Sequence, residues 1–185
     1  MMDVLIISSS RDEIDDYYKS VARNISHYLA TNGDNLIFGA ASTSMMGICY
    51  DEFKKNNCNI YAFTTRPYIE DLKNLNQAKH YICNTTFEMK QRMFENADLI
   101  VCLPGGPGTI SELTSYIEEK RSNDVNKPII IYDDNNFFEY FYKMYDFFIE
   151  NNFVGESIKE MYDIANNKEE FIELYEKIKF NERRR

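Results

Sequence analysis

The chain alternates between short runs of consecutive apolar residues and longer segments whose apolar residues recur at helical spacing. A short, continuous apolar run predicts a strand that is buried on both faces, because a strand with one wet face alternates polar and apolar residues. The six predicted strands are VLIIS (4–8), NLIFGA (35–40), NIYAFTT (59–65), HYICN (80–84), DLIVCLP (98–104) and KPIIIYD (127–133). The segments with helical period are 12–31, 45–56, 87–97, 111–122, 136–151 and 167–180.

This alternation of strands and helices predicts an α/β fold. We expect a doubly wound, Rossmann-like parallel sheet flanked by helices on both faces, with right-handed crossovers. No repeat, linker or break in composition divides the chain, so we predict one domain over residues 1–185. Its C-terminal helix is predicted within about 156–180, and a charged tail over 181–185.

Composition and charge narrow the classes of function. The net charge of −9 argues against a nucleic-acid partner or a membrane surface, which would favour a basic face. No apolar run approaches the roughly 18 residues that cross a bilayer, and MMDVLIISSSRDE resembles a first strand more than a signal peptide. The four cysteines lack metal-site spacing, so we expect free thiols in a reducing, cytoplasmic setting. His27 and His80 lack a nearby second ligand, and we predict no metal site.

Three loops of small or polar residues leave the carboxyl ends of predicted strands: SSSR (8–11), GAASTS (39–44) and PGGPGT (104–109). Ligands of such sheets bind at these ends, near the point where the strand order reverses. In the third loop, glycines permit positive φ and close approach of backbone N–H groups, and a helix N-terminus follows. We therefore predict a phosphate cradle. The alternative is a tight turn between strand and helix that binds nothing.

A carboxylate in the first turn of that helix, Glu112, has two interpretations. It can complement the helix dipole, or it can stabilise an oxocarbenium-like centre or orient water beside a bound sugar phosphate. Ser9 and Ser10 can bind ribose or phosphate, or cap the first helix together with Asp12. Arg66, after the third strand, either reaches a substrate or is solvated.

The stretch PGGPGTISE (104–112) resembles the PGGxGTxxE motif of the Lonely Guy (LOG) family, whose members are often mislabelled as lysine decarboxylases. IISSS (6–10) and FGAASTSMMG (38–47) are similar to two other segments of that family, and the resemblance covers roughly residues 3–155. It implies a nucleoside 5′-monophosphate phosphoribohydrolase that releases a free base and ribose 5-phosphate. It also implies that no cofactor is needed and that the protein is a homodimer.

The resemblance also assigns roles to residues. Glu112 would be catalytic, assisted by Arg92 or Lys90. The predicted phosphate- and nucleotide-binding residues are Gly105, Gly106, Gly108, Thr109, Ser9, Ser10, Gly39, Ser42, Met46 and Gly47.

The chain departs from the LOG pattern at a few positions. Ala40, Ala41 and Ser44 replace three glycines of the second loop, which predicts a differently shaped loop. Met89 stands where the family has an arginine. Arg92 lies three residues further along, close to the same helix face, where it either serves the site or is a surface charge.

Two functions therefore stay open at this point: an N-glycosidic hydrolase, or a non-hydrolytic protein that binds or senses a nucleotide. Lysine decarboxylation is disfavoured, because it requires a pyridoxal cofactor on a dedicated lysine and the glycine-loop motif contains none. The aromatic residues between 137 and 148 cover more than one face of a helix. We expect one face to pack on the sheet and the other to pack against a second subunit.

Overall fold

A computed structural model describes residues 1–123 and 125–182 of the chain. Its strands are β1 (Asp3–Ile7), β2 (Asn35–Gly39), β3 (Ile60–Thr65), β4 (Lys79–Cys83), β5 (Leu99–Cys102), β6 (Ile129–Tyr132) and β7 (Asp163–Ala165). Its α-helices are α1 (Asp16–Thr31), α2 (Ser44–Lys55), α3 (Thr86–Asn96), α4 (Pro107–Asn123), α5 (Glu139–Glu150) and α6 (Lys168–Glu182). Within these residues, no helix has both the length and the apolarity that crossing a membrane requires.

All seven strands are parallel, in the order β4-β3-β2-β1-β5-β6-β7. The predicted doubly wound, Rossmann-like sheet is confirmed, and its order reverses between β1 and β5. Alternate residues of β1 enter different cores: Val4 and Ile6 pack on one face of the sheet, Leu5 and Ile7 on the other. Both faces are therefore covered by helices, which explains why the strands read as continuous apolar runs.

The first helix begins later than predicted. Asp15 is its N-cap, and the Asp15 carboxylate accepts a hydrogen bond of 2.8 Å from the backbone N–H of Tyr17. The alternative in which Ser9, Ser10 and Asp12 cap α1 is therefore wrong. The side chains of the loop SSSR (8–11), called the serine loop below, do not cap this helix. The helix ends at Thr31, where the predicted segment 12–31 ends, and Gly33 just beyond it takes the left-handed conformation (φ 76°).

The predicted C-terminal helix over 156–180 is wrong in its first half. A 3₁₀ turn (Glu156–Met161) and strand β7 precede α6, which begins at Lys168. Strand β7 pairs with β6, with Tyr132 opposite Ala165, so the sheet has one strand more than the six that were predicted. Its three residues are too short a run to give a sequence signal. Residues 181–182 of the predicted tail lie in α6, and residues 183–185 lie outside the described residues.

A 3₁₀ segment, Arg66–Asn74, was not predicted and connects β3 to β4. It is called the 66–74 segment below. The Asn74 side chain donates a hydrogen bond of 3.3 Å to the Ser42 hydroxyl, which connects the segment to the loop after β2. The segment therefore lies at the carboxyl edge of the sheet.

Candidate functional site

A cavity of about 710 Å³ lies at the carboxyl edge of the sheet, beside the switch point between β1 and β5. The loops after β1, β2 and β5, the 66–74 segment and α3 form its walls. The volume is within the range of small-molecule sites. Nine of the predicted site residues line this cavity: Ser9, Ser10, Gly39, Met46, Lys90, Gly106, Gly108, Thr109 and Glu112.

The glycine loop runs from β5 into the N-terminus of α4. The carbonyl of Gly106 accepts the first helical bond, from the N–H of Ile110 (3.1 Å). The N–H groups of Gly106, Gly108 and Thr109 have no acceptor among the described residues. These donors belong to the first turn of a helix, where the partial charge is positive. The loop therefore offers unpaired amides to the cavity, the arrangement that binds an anion.

The glycines of this loop do not serve positive φ as predicted, because none of them is left-handed. A Cβ on Gly106 or on Gly108 would meet no atom within 4 Å, so the missing side chain leaves room for a ligand. A Cβ on Gly105 would lie 2.1 Å from the Thr109 hydroxyl. Gly105 does not line the cavity, and its small size lets Thr109 pack beneath the loop.

The glycine loop is joined to the end of β1 by one buried hydroxyl, and a second buried hydroxyl beside it is unpaired. Thr109 donates a hydrogen bond of 3.1 Å to the backbone carbonyl of Ser8. Ser8 is one of the residues that line the cavity, and its buried hydroxyl has no partner among the described residues. Ser8 belongs to the predicted site loop SSSR (8–11) but was not among the predicted binding residues, although it is the first residue after β1, at the edge where ligands bind. A buried, unpaired hydroxyl is costly in a folded protein.

Glu112 lies on the first turn of α4 and is 8 % exposed. It has no hydrogen-bond partner among the described residues. Burial raises the pKa of its carboxyl group to about 7, and the positive charge of Lys90 opposes that rise. The Lys90 ammonium donates a hydrogen bond of 2.7 Å to the Ser111 hydroxyl, beside Glu112. The site therefore holds an acid that gains and loses its proton near neutral pH.

Arg92 does not line the cavity. Its guanidinium lies over the rings of Phe63 and Tyr81, at 5.8 and 5.4 Å from their centroids. It also pairs with Glu88 on its own helix, at 3.6 Å. Met89 takes the position on the cavity wall. The structure thus places Lys90 beside Glu112 and directs Arg92 onto β3 and β4.

The loop after β2 keeps a glycine-like conformation at a position that lacks glycine. Ser44 is left-handed (φ 51°), and its hydroxyl donates a hydrogen bond of 2.7 Å to the carbonyl of Arg11. Ala40 and Ala41 have no positive φ, so alanine fits there. Gly47 packs against the loop, because a Cβ there would lie 2.4 Å from the Ser42 carbonyl. Neither Ser42 nor Gly47 lines the cavity.

Other cavity residues were missed by sequence reasoning. Arg11 is the last residue of the loop SSSR (8–11) but was not a predicted binding residue, and Tyr68 and Asp71 belong to the 66–74 segment. Their position in the sequence could have indicated them, since each of the three residues lies shortly after the carboxyl end of a strand. Arg66 is exposed and does not line the cavity. No group of three metal-ligating side chains occurs among residues 1–123 and 125–182.

Comparison with known proteins gives a family and a set of relatives. The family model described as "Possible lysine decarboxylase" matches residues 40–175. The cytokinin riboside 5′-monophosphate phosphoribohydrolase LOG5 of Arabidopsis thaliana is 22 % identical, over 88 % of this chain and 72 % of the relative. A probable enzyme of the same description from Oryza sativa subsp. japonica, LOG4, is 20 % identical over 84 % of this chain and 68 % of the relative.

Among solved structures, the Moco carrier protein of Chlamydomonas reinhardtii has a similar fold. The TM-score is 0.71, with 13 % sequence identity over 97 % of this chain and 98 % of the carrier. At this identity the likeness concerns the fold alone.

Proposed function

Since this chain belongs to the LOG family, whose model carries the description "Possible lysine decarboxylase", we propose that it is a nucleoside 5′-monophosphate phosphoribohydrolase. The family relationship supports a phosphoribohydrolase at the level of the family. One observation carries the proposal to this chain: a buried, unpaired carboxylate lies next to a helix N-terminus whose amides are unpaired. Lysine decarboxylation gains no support, because the cavity lysine beside the glycine loop is bonded to Ser111 and lies next to an acid.

The glycine loop binds the 5′-phosphate in this proposal. The N–H groups of Gly106, Gly108 and Thr109 donate to the phosphate oxygens, and Lys90 adds a positive charge. Backbone dipoles act locally, which is how a chain of net charge −9 attracts an anion. Ser8, Ser9 and Ser10 bind the ribose or the phosphate. Gly39 and Met46 line the remaining wall, and Ser42 and Gly47 hold the second loop in shape.

The chemistry is hydrolysis of the N-glycosidic bond. The bond between the anomeric carbon and the base nitrogen breaks, and its electron pair leaves with the base. A water oxygen bonds to the anomeric carbon, one water proton ends on the base, and ribose 5-phosphate is formed. The Glu112 carboxylate stabilises positive charge at the anomeric carbon and orients the water; it accepts the water proton, and this proton then passes to the departing base, which restores the carboxylate. No cofactor takes part.

The test of this function is direct. Purified protein is incubated with AMP and the other common nucleoside 5′-monophosphates, and free base and ribose 5-phosphate are quantified by chromatography. Equimolar release of the two products supports hydrolysis. Absence of release from every nucleotide contradicts it.

The role of the cations is tested by two matched variants, Lys90→Met and Arg92→Met. Loss of Lys90 is expected to weaken nucleotide binding about tenfold, because a cation next to the phosphate is removed. Arg92→Met is expected to leave binding unchanged, because its guanidinium packs on Phe63 and Tyr81. Nucleotide binding is measured by calorimetry. A larger loss of affinity in Arg92→Met than in Lys90→Met would assign the assisting role to Arg92.

A second candidate is a non-hydrolytic protein that binds or senses a nucleotide. It is favoured by Met89 on the cavity wall and by Arg92 outside the cavity. A protein of similar fold is named as a carrier, which is consistent with binding without turnover. Tight nucleotide binding without release of base would select this function.

We also propose a homodimer. The buried aromatic residues of the α5 region, Phe138, Phe141 and Tyr145, pack on the sheet. Tyr140 and Phe147, on the same helix, are 81 % and 56 % exposed. A second subunit would cover this apolar surface. Sedimentation of the wild type and of Phe147→Glu tests it: a dimer that dissociates in the variant is expected, and a monomeric wild type contradicts the proposal.

A further inference from the structure

We propose that Tyr68 and Asp71, on the 66–74 segment, select the base of the nucleotide. Tyr68 stacks on the ring of the base, and Asp71 accepts an N–H from an exocyclic amine. The preferred ligand is then a 5′-monophosphate whose base carries an amino group. This inference rests on the proposed function, since it assumes that the phosphate lies at the glycine loop.

The glycine loop and the 66–74 segment form opposite walls of the cavity, and their positions in the sheet support an orientation with the phosphate at the first and the base at the second. The glycine loop follows β5, and the 66–74 segment follows β3. Strands β2 and β1 lie between them in the sheet. Three strand spacings separate the two walls, roughly 14 Å along the carboxyl edge. A nucleotide whose phosphate is held at the glycine loop therefore extends across the serine loop and presents its base to the 66–74 segment.

The charges at the two ends of the cavity support the same orientation of the nucleotide. The glycine-loop end offers unpaired amides and the Lys90 ammonium, with Glu112 as the acid beside them. Asp71 makes the other end negative, and its carboxylate has no hydrogen-bond or ion-pair partner among the described residues. Its neighbour Glu70 is engaged with Lys73 and does not line the cavity. An ionised aspartate only accepts hydrogen bonds, so Asp71 repels phosphate and favours a group that presents N–H.

Tyr68 supplies an aromatic face at the same end. It lines the cavity, is 61 % exposed and makes no ring contact with another described aromatic residue. The 3₁₀ segment kinks at this residue (φ −113°, ψ 18°), and the bond between Asn74 and Ser42 fixes its far end. An exposed aromatic ring on a cavity wall is a stacking surface for a base, and stacking is tolerant of which base is bound.

The experiment compares two ligands that differ only in the amine. AMP and purine riboside 5′-monophosphate, which lacks the 6-amino group, are titrated into the wild type by calorimetry. AMP is expected to bind about tenfold more tightly, because one hydrogen bond to a charged acceptor is lost without the amine. In Asp71→Ala the ratio of the two affinities is expected to fall to about one. In the matched control Glu70→Ala the wild-type ratio is expected to persist.

The Tyr68→Ala variant separates stacking from hydrogen bonding. It is expected to weaken both ligands equally, by about tenfold, and to keep their ratio. Asp71→Asn is a second variant that keeps the size of the side chain, and its ratio is expected between those of the wild type and Asp71→Ala.

The inference is overturned if both ligands bind the wild type equally, or if Asp71→Ala keeps the preference for AMP. Because binding is measured, a protein that binds with this preference but hydrolyses nothing contradicts only the hydrolase. A wild type that binds neither ligand overturns this inference and the proposed phosphate site together.

Discussion

Two carboxylates are buried at opposite edges of the same sheet, and their surroundings differ. Asp34 lies just before β2, at the amino edge, and is 0 % exposed. Its oxygens accept hydrogen bonds from the N–H of Met2 (2.9 Å) and the hydroxyl of Tyr175 (2.5 Å), and Lys179 lies 3.7 Å away. Glu112 lies at the carboxyl edge, is 8 % exposed and has no such partner among the described residues.

The difference separates a carboxylate whose partners are supplied by the fold from one that the fold leaves unpaired. Around Asp34 the partners come from Met2 at the N-terminus and from α6, so the carboxylate holds these two parts of the chain against the start of β2. The phenol of Tyr175 has a raised pKa, because it is buried and bonded to Asp34. At Glu112 the folded protein leaves a buried acid unsatisfied, which costs stability, and an arrangement of that kind points to a ligand or a reaction.

The largest expected effect is on turnover. Glu112→Gln removes the ionisable group and keeps its size, so base release from AMP is expected to fall about 100- to 10,000-fold, the usual contribution of a positioned acid or base. Nucleotide binding, measured by calorimetry, should persist. The matched control is Glu118→Gln on the same helix, where the exposed carboxylate pairs with Arg121 outside the cavity. Full activity of the Glu112 variant would remove its catalytic role.

The next effect is on stability at the other edge. Asp34→Ala leaves the Tyr175 hydroxyl without its acceptor and the buried Lys179 ammonium without its counter-ion, and is expected to lower the free energy of unfolding by about 3–5 kcal/mol. Urea denaturation measures it, with the exposed Asp51→Ala as the control. A change below about 1 kcal/mol would mean that Asp34 is not the structural counterpart of Glu112.

The cost of burying Glu112 depends on pH. Its pKa is raised from about 4.5 when unfolded to about 7 when folded, so the folded state holds the proton more tightly and stability falls as the pH rises through this window. Glu112→Gln is therefore expected to stabilise the protein by about 3 kcal/mol at pH 8 and by almost nothing at pH 4. Urea unfolding of both proteins at the two pH values measures the difference. A stabilisation that is equal at both values would show that ionisation is not its source.

The smallest expected effect on stability belongs to the glycine loop. A Cβ on Gly108 meets no protein atom, and the residue lies in the first turn of α4, so Gly108→Ala is expected to change the free energy of unfolding by at most about 1 kcal/mol. Nucleotide binding is expected to weaken, because the methyl group enters the space of the ligand. Gly105→Ala is the contrasting variant: its Cβ would clash with Thr109, and thermal melting should show a loss of stability.

Much of the fold was accessible from local pattern. The continuous apolar runs predicted six strands of the parallel sheet, since burial on both faces removes the polar positions from a strand. Strand β7 and the 66–74 segment were not predicted, because neither has a long apolar run or a sustained helical period. The start of α1 was predicted too early, since Asp12 and Asp15 are equally good caps in sequence and only the path of the chain decides between them.

The candidate site divides in a similar way. PGGPGT and Glu112 were evident because glycine content and the distance from a strand are properties of the chain itself. The choice between Lys90 and Arg92 was not, because both lie on α3 and the direction of each side chain depends on what packs against it. The Arg92 guanidinium packs on the rings of Phe63 and Tyr81, which lie on β3 and β4 rather than on α3 itself.

The sequence alone determined the class of sheet, the loop that faces its switch point and the acid that follows this loop. These depend on the order and spacing of residues along the chain. Only the tertiary structure decided that this acid is buried without a partner, that the Ser8 hydroxyl is left unpaired and that Asp71 shares their cavity. Burial and hydrogen-bond partners are set by residues far apart in the chain, so no local pattern encodes them.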